Sequence, residues 1–267
     1  MAIKINTAFL LKKIKKESPI IHHITNWVTI YDCAQVVKSL GASPVMAHAP
    51  EEAAQMAKIA SSLVLNIGTL TLDLVESMKL AARAANNKGV PVVFDICGVG
   101  ATKMRDNKSL ELLDRVRIDI IKGNASEVAR ILGENVSTRG VDSGEIKSDL
   151  IKLAKKLALK RKATVVITGE TDIVTNGKEL YLVKNGDSLM SKVVGTGCMA
   201  ASMIGAFAAV EENYARAAAS GLAVFGVAAE IASSRSDGPG TFKAFLFDAL
   251  YSLTADTLNK RQKILCY

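Results

Sequence analysis

Short runs of β-branched residues alternate with helical patterns over most of the chain, and this alternation constrains the fold more than any other feature. Strands are predicted at residues 44–46, 62–67, 90–95, 118–122 and 164–168. Helices are predicted between them at residues 31–40, 51–60, 72–86, 125–132 and 148–160. Repetition of strand, helix and strand requires parallel strands joined by right-handed crossovers. We therefore predict an α/β fold with a mostly parallel sheet.

The composition agrees with a sheet that is buried on both faces. Of the 267 residues, 49% are hydrophobic but only 5% are aromatic, so the core is mainly aliphatic. Two later strands, at residues 172–175 and 179–183, flank an Asn-Gly hairpin signal, and the chain from residue 197 onward is mostly helical. Because no repeat or linker interrupts the pattern, we predict one domain over residues 1–267.

The chain is basic, with a formal net charge of +8. Its two lysine clusters, at residues 12–16 and 152–162, are not interleaved with the aromatic side chains that stack on bases. The second cluster lies at helical spacing opposite apolar residues, which is typical of a solvated helix face. The charge therefore does not indicate a nucleic-acid partner.

The four cysteines are far apart and form no C-x-x-C pair, which argues against a disulfide framework and a zinc site. The N-terminus lacks the apolar region of a signal peptide. The longest apolar stretches, at residues 200–210 and 221–229, are too short and too rich in alanine to span a bilayer. We therefore expect a soluble protein of the reducing cytoplasm with no membrane partner.

Polar residues and glycines follow the predicted strands. In open α/β sheets, ligands bind beyond the carboxyl ends of the strands. In this chain those positions are residues 46–48, Gly68, Asp95, residues 122–124 and residues 168–170. We expect them to meet at one edge of the sheet and to form the ligand site there.

A glycine-framed turn, Gly195-Thr196-Gly197-Cys198, carries the strongest functional signal and runs into an apolar helix predicted at about residues 198–210. Two glycines let the backbone bend tightly and direct successive N–H groups at one spot. The positive end of the helix dipole faces the same spot, an arrangement typical of phosphate sites. The same field favours the thiolate form of Cys198. The turn therefore indicates a phosphotransferase.

Five further residues lie at strand ends or helix starts, and most of them have both a functional and a structural interpretation. Asp95 can hold Mg²⁺, directly or through water, or it can cap the glycine-rich turn that follows it. Asn124 and Glu127 fit a helix capping box, although Glu127 could also serve a metal. Lys122 and Thr168 could reach nucleotide phosphates or could simply end their strands. The residues alone leave these alternatives open.

Other kinds of site fit the sequence less well. His22 and His23 are adjacent and cannot share one face of a strand, which argues against a zinc pair. Cys198 could be the nucleophile of a hydrolase if a histidine lay beside it, but no local cysteine-protease signature occurs. The glycine pair at residues 98–100 lacks the third glycine of a dinucleotide fingerprint, and no Walker A sequence is present.

Taken together, these residues resemble the hydroxyethylthiazole kinase family, a branch of the ribokinase-like superfamily, over nearly the whole chain. The segments that carry the resemblance are HITN at residues 23–26, GASPVMAH at 41–48, LNIGTL at 65–70, GNASE at 123–127, ITGE at 167–170 and GTGC at 195–198. The cysteine that ends the last segment is the most telling, because related kinases usually carry aspartate there.

The resemblance implies a ribokinase-like three-layer α/β/α fold with a mostly parallel central sheet and no separate lid domain. It implies ATP-dependent phosphorylation of the primary hydroxyl of 4-methyl-5-(2-hydroxyethyl)thiazole in thiamine biosynthesis or salvage. It also implies Mg²⁺ as the cofactor and a homotrimer with active sites between neighbouring subunits.

The same resemblance implies roles for individual residues. Catalysis is implied for Gly195, Thr196, Gly197 and Cys198, with Cys198 as the base. Contacts with the thiazole are implied for Asn26, Met46, Gly68 and Gly195. Contacts with ATP are implied for Lys122 and Thr168, and contacts with Mg²⁺ for Asp95 and Glu127.

Two positions depart from the family pattern. Ile96-Cys97 stands where the family often has Pro-Val, and Lys122 stands where it commonly has arginine, so bidentate contact with phosphate is lost. Two alternative functions remain: another ribokinase-like kinase, for hydroxymethylpyrimidine or a sugar, and a nucleotide-binding relative without catalytic activity.

Overall fold

The computed structural model describes residues 5–134 and 144–267. Within these ranges the strands form one sheet, with the bounds β1 Ile20–Ile24, β2 Ser43–Val45, β3 Ser62–Asn66, β4 Val92–Asp95, β5 Ile120–Asn124, β6 Thr164–Thr168, β7 Asp172–Thr175, β8 Leu180–Val183 and β9 Ile264–Cys266. Their order across the sheet is β2-β1-β3-β4-β5-β6-β7-β8-β9. The strands β1 to β6 are parallel, whereas β7, β8 and β9 pair antiparallel. The predicted mostly parallel sheet is confirmed.

Helices cover both faces of the sheet. Their bounds are α1 Thr7–Glu17, α2 Ile30–Leu40, α3 Pro50–Ile59, α4 Leu72–Lys88, α5 Lys103–Arg115, α6 Ala125–Leu132, α7 Gly144–Arg161, α8 Thr196–Ala208, α9 Tyr214–Ser233, α10 Pro239–Ser252 and α11 Ala255–Arg261. On one face of the sheet, a hydrophobic core includes the helices α1, α2, α8, α9, α10 and α11. On the other face, a second core includes the helices α3, α4, α5, α6 and α7. The predicted three-layer α/β/α fold is confirmed.

The central strands supply side chains to both cores. In β3, Val64 belongs to the core with α8, whereas Leu63 and Leu65 belong to the core with α4. Successive side chains of a strand point to opposite faces, so a strand covered on both sides must be apolar at every position. The uninterrupted apolar runs in the sequence have this physical origin.

In the described ranges, two strands and two α-helices were not indicated by the sequence pattern. The strand β1 carries two buried histidines and β9 is only three residues long, so neither reads as an apolar run. The helix α1 carries a lysine cluster, and α5 buries Asp106 and Ser109 beside its leucines, which weakens its apolar stripe. The strands β6 and β7 and the helix α6 have the predicted bounds.

The apolar stretch at residues 221–229, which was judged too short to span a bilayer, is part of the 20-residue helix α9. Among the described residues it is the one helix whose length and composition would allow it to cross a membrane, but 83% of its apolar window is buried inside the molecule. It packs closely on α8, since a Cβ atom on Gly221 would lie 3.1 Å from the backbone of Met203. The helix is therefore part of the core of this fold.

The parallel register aligns polar residues at one edge of the sheet. Asn66 at the end of β3 pairs with Asp95 at the end of β4, and Asp95 pairs with Lys122 in β5. Asn124 at the end of β5 pairs with Thr168 at the end of β6. The loops that follow these strands, together with the start of α8, form the site described below.

Candidate active site

The turn before α8 requires glycine. Gly195 has a φ of 91° and immediately precedes the first helical residue, Thr196. A Cβ atom on Gly195 would overlap Cγ2 of Thr29, so both space and backbone conformation exclude a side chain. The hydroxyl of Thr196 donates to the carbonyl oxygen of Met190 at 2.9 Å and fixes the turn against the preceding segment.

Three backbone amides at the start of α8 have no acceptor within the described part of the chain, those of Thr196, Gly197 and Cys198. The next amide, that of Met199, donates to the carbonyl oxygen of Gly195 at 2.8 Å and begins the helical ladder. Free amides and the positive end of the helix dipole coincide at this turn. The turn therefore has the geometry of an anion site.

Lys122 brings a positive charge to the same turn. Its Nζ atom lies 3.3 Å from the position that a Cβ atom of Gly197 would occupy, and 3.2 Å from both carboxylate oxygens of Asp95. Burial disfavours the charged form, but the attraction of Asp95 and other nearby anions outweighs it and raises the pKa of Lys122. Lys122 is therefore a buried cation of the site and not a charge at an exposed strand edge.

Asp95 is fully buried. In addition to Lys122, it accepts a hydrogen bond from Nδ2 of Asn66 at 2.8 Å. Burial raises the pKa of Asp95, and the Lys122 ammonium offsets part of that effect. The interpretation of Asp95 as a cap for the following turn is wrong, because the amide of Gly98 in that turn donates to Glu127 instead.

The sulfur of Cys198 is surrounded by donors. It accepts hydrogen bonds from Nδ2 of Asn26 and from Nδ2 of Asn66, both at 3.3 Å. A hydrogen bond from the Cys97 thiol makes the largest contribution to lowering the pKa of Cys198 to about 5; burial opposes the shift and the Lys122 charge assists it. Cys198 lies on the first turn of α8, as predicted, and its thiolate is favoured at neutral pH.

Asn66 connects these groups, and the sequence analysis did not single it out. Its Oδ1 accepts from Nδ2 of Asn26 at 2.9 Å and from the amide of Gly68 at 2.8 Å. Its Nδ2 donates to Asp95 at 2.8 Å and to Cys198 at 3.3 Å. With both polar atoms engaged in a buried site, Asn66 fixes the relative positions of its neighbours. Its place next to the end of a predicted strand was the available signal.

Of the residues predicted to contact the substrate, Asn26 contacts Cys198 directly and Gly68 lies against Asn26. Asn26 is buried, and its Oδ1 accepts from the amide and the hydroxyl of Thr29 at 3.1 Å each. A Cβ atom on Gly68 would lie 2.9 Å from Cβ of Asn26. The structure therefore brings Asn26, Gly68 and Gly195 together around the cysteine.

Arg105 links the loops that follow β3 and β4. The sequence analysis did not identify it as a site residue. Its guanidinium donates to the carbonyl oxygens of Ile67 and Gly68 at 2.6 Å each, and to that of Cys97 at 3.3 Å. A planar group with several donors can hold two loops in a fixed relation. No feature of its sequence neighbourhood pointed to this role.

Glu127 forms the predicted capping box at the start of α6. Its Oε2 accepts from the amide of Asn124 at 2.7 Å, while the side chain of Asn124 accepts from the amide of Glu127 at 2.9 Å. Its Oε1 accepts from the amide of Gly98 at 2.8 Å. The carboxylate therefore supports both the helix start and the turn after β4.

The two carboxylates predicted to serve Mg²⁺ lie at the same edge of the sheet, since Asp95 ends β4 and Glu127 accepts from Gly98 in the turn that follows it. Their oxygens are hard donors of the kind that Mg²⁺ prefers, but each already accepts a hydrogen bond. The described residues hold no cluster of three or more His, Cys, Asp or Glu side chains arranged around a metal. Mg²⁺ usually keeps several waters, so these carboxylates fit contact through water better than direct ligation.

Thr168 and Met46 have no hydrogen bond to Cys198 in the described part of the chain. Thr168 ends β6, and its hydroxyl donates to the carbonyl oxygen of Gly123 at 3.4 Å. Met46 is half-buried and follows β2, the outermost strand of the parallel group. No described contact joins Met46 to the residues around Cys198.

His22 and His23 lie on opposite faces of β1 and have structural partners. Nε2 of His22 donates to the carbonyl oxygen of Ala47 at 2.6 Å, and Nε2 of His23 lies 3.0 Å from Oγ of Ser202. Burial lowers the pKa of both rings, that of His23 to about 4. None of the hydrogen bonds in the described part of the chain links a histidine to Cys198, so the base that a cysteine hydrolase needs is missing.

The chain is similar to known proteins over nearly its whole length. The model of the hydroxyethylthiazole kinase family matches residues 11–256. A protein of Methanosarcina mazei named hydroxyethylthiazole kinase is 51% identical over 254 residues, which cover 95% of this chain and 97% of that protein. A protein of the same name from Clostridium tetani is 44% identical over 95% of each chain.

Solved structures share the fold. The hydroxyethylthiazole kinase of Pyrococcus horikoshii is similar with a TM-score of 0.91 and 38% identity over 98% of both chains. A ribokinase-like superfamily protein of Enterococcus faecalis has a TM-score of 0.68 at 12% identity over 95% of this chain and 94% of that one, which shows the fold alone. The fold is ribokinase-like, and the chain belongs to the hydroxyethylthiazole kinase family.

Proposed function

We propose that this protein transfers the γ-phosphoryl group of ATP to the primary hydroxyl of 4-methyl-5-(2-hydroxyethyl)thiazole. The products are the thiazole phosphate and ADP, and the reaction serves thiamine biosynthesis or salvage. The observation that carries the proposal is that Cys198, whose sulfur accepts from Asn26 and Asn66, lies on the same helical turn as three backbone amides that have no acceptor in the described part of the chain. Relatives that are named for this kinase over nearly the full chain support the choice of substrate. We assign the activity to one kinase domain over residues 1–267.

Cys198 is proposed as the base that accepts the proton of the substrate hydroxyl as the new O–P bond forms. Its lowered pKa of about 5 keeps it unprotonated at neutral pH, so it is ready to accept a proton. Base assistance of this kind contributes about 10²–10⁴-fold to a rate. Since phosphoryl transfer passes through a loose transition state, the base is expected to matter less than the groups that stabilise negative charge.

The amides of residues 196–198 and the Lys122 ammonium are proposed to hold the phosphoryl group in transit. Lys122 has three donors and lies between Asp95 and the turn, so it can contact a phosphoryl oxygen while it remains paired with the carboxylate. Loss of one preorganised donor of this kind costs about 3 kcal/mol of transition-state stabilisation. We further assign Thr168, at the end of β6, to the ATP site.

We propose Mg²⁺ as the cofactor, with Asp95 and Glu127 as the residues that hold it through water. The ion would neutralise charge on the triphosphate when it is bound. The two carboxylates support this role because Asp95 pairs with Lys122 at the edge of the sheet and Glu127 accepts from the turn that follows Asp95. Their existing hydrogen bonds keep both groups fixed.

The thiazole is proposed to contact Asn26, Gly68, Gly195 and Met46. Three of these residues surround Cys198, and space at each glycine is limited by a neighbouring side chain. A substrate bound there would present its hydroxyl to the thiolate. Met46 would contribute from the outermost parallel strand, where its half-buried side chain supplies an apolar surface.

We also propose a cytoplasmic homotrimer with active sites between subunits. Several large apolar side chains close to the site in sequence are exposed: Trp27 by 49%, Val28 by 66%, Tyr31 by 70% and Val194 by 71%. Exposed apolar patches beside a site often mark an interface. Light scattering should give a particle of three times 28.4 kDa, and a monomer at assay concentration would contradict the proposal.

The decisive assay is ³¹P-detected product formation from ATP and Mg²⁺ with the thiazole alcohol. We expect a new phosphomonoester signal that grows with the ADP signals and requires the alcohol. A panel with hydroxymethylpyrimidine and a sugar distinguishes a related kinase, for which one of those acceptors would react faster. Binding of ATP without turnover on any acceptor would identify a nucleotide-binding relative and contradict the proposal.

A further inference from the structure

The guanidinium of Arg105 donates to backbone carbonyl oxygens of two loops. Its Nη1 donates to Ile67 at 2.6 Å and to Cys97 at 3.3 Å, and its Nη2 donates to Gly68 at 2.6 Å. None of the ion pairs formed by the described residues includes Arg105. The side chain therefore ties the loop after β3 to the loop after β4 and does not neutralise a carboxylate.

The position of Arg105 in α5 is unfavourable for a positive charge. Arg105 is the third residue of the helix, and its amide donates to the side chain of the N-cap residue Thr102 at 3.3 Å. The positive end of the helix dipole lies here and disfavours a cation. The stability of α5 therefore does not explain an arginine at this position, whereas its contacts with the two loops give it a role.

The start of α5 is fixed to the turn after β4. Asp106, the residue after Arg105, accepts from the amide of Gly100 at 2.7 Å and from Nε of Arg130 at 2.8 Å. A Cβ atom on Gly98 would lie 2.9 Å from Nη1 of Arg105, so the lack of a side chain at Gly98 leaves room for the guanidinium. Arg105 is thus a link from an anchored helix to the loop after β3.

The loop after β3, residues 67–69, forms one wall of the proposed thiazole site. The amide of Gly68 donates to Oδ1 of Asn66 at 2.8 Å, while its carbonyl oxygen accepts from Arg105. A Cβ atom on Gly68 would lie 2.9 Å from Cβ of Asn26, so the loop packs directly on the residue that donates to the sulfur of Cys198. A displacement of this loop would change the space left for a ring beside Asn26.

We propose that Arg105 is a positioning residue that sets the affinity for the thiazole alcohol by holding the loop at residues 67–69 against Asn26. The identity of the ligand rests on the proposed function, whereas the positioning of the loop does not. No described hydrogen bond joins Arg105 to Cys198 or Lys122, the groups assigned to proton and phosphoryl transfer. Loss of Arg105 should therefore weaken binding of the alcohol more than it slows the transfer step.

The shape of the guanidinium matters in addition to its charge. Its two terminal nitrogens contact the carbonyl oxygens of two consecutive residues, Ile67 and Gly68, at the same time. Lysine has a single nitrogen on a flexible stem and cannot reproduce this planar arrangement. A lysine at this position should therefore not hold the loop as arginine does.

The first experiment compares steady-state kinetics of the wild type, Arg105→Ala and Arg105→Lys. We expect the KM for the thiazole alcohol to rise about tenfold or more in both variants, because hydrogen bonds from a charged donor are lost. The kcat and the KM for ATP should stay close to the wild-type values. A wild-type KM in Arg105→Lys, or a fall in kcat with an unchanged KM, would contradict the proposal.

Arg161→Ala is the matched control for these variants. Arg161 is the last residue of α7, and its guanidinium also donates to a backbone carbonyl oxygen, that of Leu113, at 3.3 Å. Leu113 lies near the end of α5, whereas Arg105 lies near its start. The KM for the thiazole alcohol should not change in Arg161→Ala, and an increase equal to that of Arg105→Ala would contradict the proposal.

Chemical rescue separates positioning of the loop from a general loss of structure. Guanidinium ions, at concentrations too low to unfold the protein, should lower the KM of Arg105→Ala because they can donate to the same carbonyl oxygens. Methylammonium carries the same charge without the planar set of donors and should have no effect. Equal effects of the two ions, or no effect of guanidinium, would contradict the proposal.

A measurement that does not depend on turnover uses Trp27, the one tryptophan of the chain. Its amide donates to Oγ1 of Thr69 at 3.0 Å, so its surroundings depend on the position of the loop. We expect acrylamide to quench the Trp27 fluorescence more strongly in Arg105→Ala than in the wild type or Arg161→Ala. Identical quenching in all three proteins would overturn the proposal.

The two kinds of measurement separate failure of this proposal from failure of the kinase assignment. If no acceptor alcohol is phosphorylated, the assigned function fails, while the quenching of Trp27 still decides whether Arg105 holds the loop. If the wild type phosphorylates the thiazole alcohol and Arg105→Ala does so with an unchanged KM, the kinase assignment stands and the role of Arg105 is rejected.

Discussion

Nζ of Lys122 lies 3.2 Å from each carboxylate oxygen of Asp95, and both side chains are buried. The pair occupies directly opposed positions on two parallel strands, where β4 and β5 reach the carboxyl edge of the sheet. A buried ion pair is costly to desolvate and is retained where its charge has a use. Here the ammonium also faces the turn at Gly197, so the pair fixes a positive charge beside the free amides.

The ion pair predicts a non-additive effect on stability. Lys122→Met should lower the free energy of unfolding by about 3–5 kcal/mol, because it leaves Asp95 buried without its partner. The double variant Lys122→Met/Asp95→Asn should recover most of that loss, since the unpaired charge is then removed. Urea unfolding of the two variants and the wild type measures the difference. Equal destabilisation of the single and double variants would show that the pair is not coupled.

Removal of the base should leave a slow kinase. We expect Cys198→Ala to lower kcat about 10²–10⁴-fold while the variant still folds and binds ATP, because base assistance is a limited part of catalysis in a loose transition state. Steady-state assays of ADP release measure the residual rate. Complete loss of turnover in a folded variant that binds ATP normally would contradict this prediction. It would mean that the base contributes more to catalysis than the anion site does.

The pH dependence should follow Cys198. Its pKa is lowered to about 5, so the thiolate persists in the native state down to that pH, and kcat/KM should fall as the pH drops through it. The free energy of unfolding should change in the same direction. The stabilisation that the Cys198 thiolate contributes is fully present above the ordinary thiol pKa of 9.0 and is lost as the pH falls through about 5. The alkylation rate of Cys198 against pH measures the pKa directly.

Cys97→Val provides the comparison for the same titration, since the Cys97 hydrogen bond contributes most to the lowered pKa. The midpoint of Cys198 alkylation should move to higher pH in this variant. An unchanged midpoint would contradict the assigned cause.

The anion site is tested by the size of one side chain. Gly197→Val should reduce kcat about 10²-fold or more, because its side chain would meet Nζ of Lys122 and block access to the amides. Gly240→Val is the matched control, since Gly240 is also the second residue of its helix, α10, and a Cβ atom there has open space. Turnover by Gly197→Val equal to that of the control would reject the anion site.

The sequence predicted the parts of the fold that depend on local periodicity. Apolar runs such as β6 and β7 were found with correct bounds, because their burial on both faces leaves a clear pattern. The helix α5 was missed because buried Asp106 pairs with Arg130 and donors in the turn, so a polar side chain occupies a position where periodicity expects an apolar one. Departures from the apolar periodicity of a helix, such as this one, arise from contacts between residues that are distant in the sequence.

Only part of the candidate site could be predicted from the sequence, again because contacts between distant residues leave no local pattern. Motifs that lie in one segment, such as the turn at residues 195–198, could be read directly. The side chains that surround Cys198 or hold its neighbouring loops could not be found, because Asn66 and Arg105 act through contacts that only the folded sheet brings together. Lys122 was assigned to phosphate from its strand end, but its pairing with Asp95 follows from strand register.

The central claim is that the amides of residues 196–198 and the Lys122 ammonium gather around the phosphoryl group in transit. A crystal structure with a non-hydrolysable ATP analogue, Mg²⁺ and the thiazole alcohol tests it most directly. We predict that the terminal phosphoryl oxygens lie within hydrogen-bond distance of these amides, with the substrate hydroxyl next to Sγ of Cys198. A terminal phosphoryl group that points away from the turn in that complex would contradict the account.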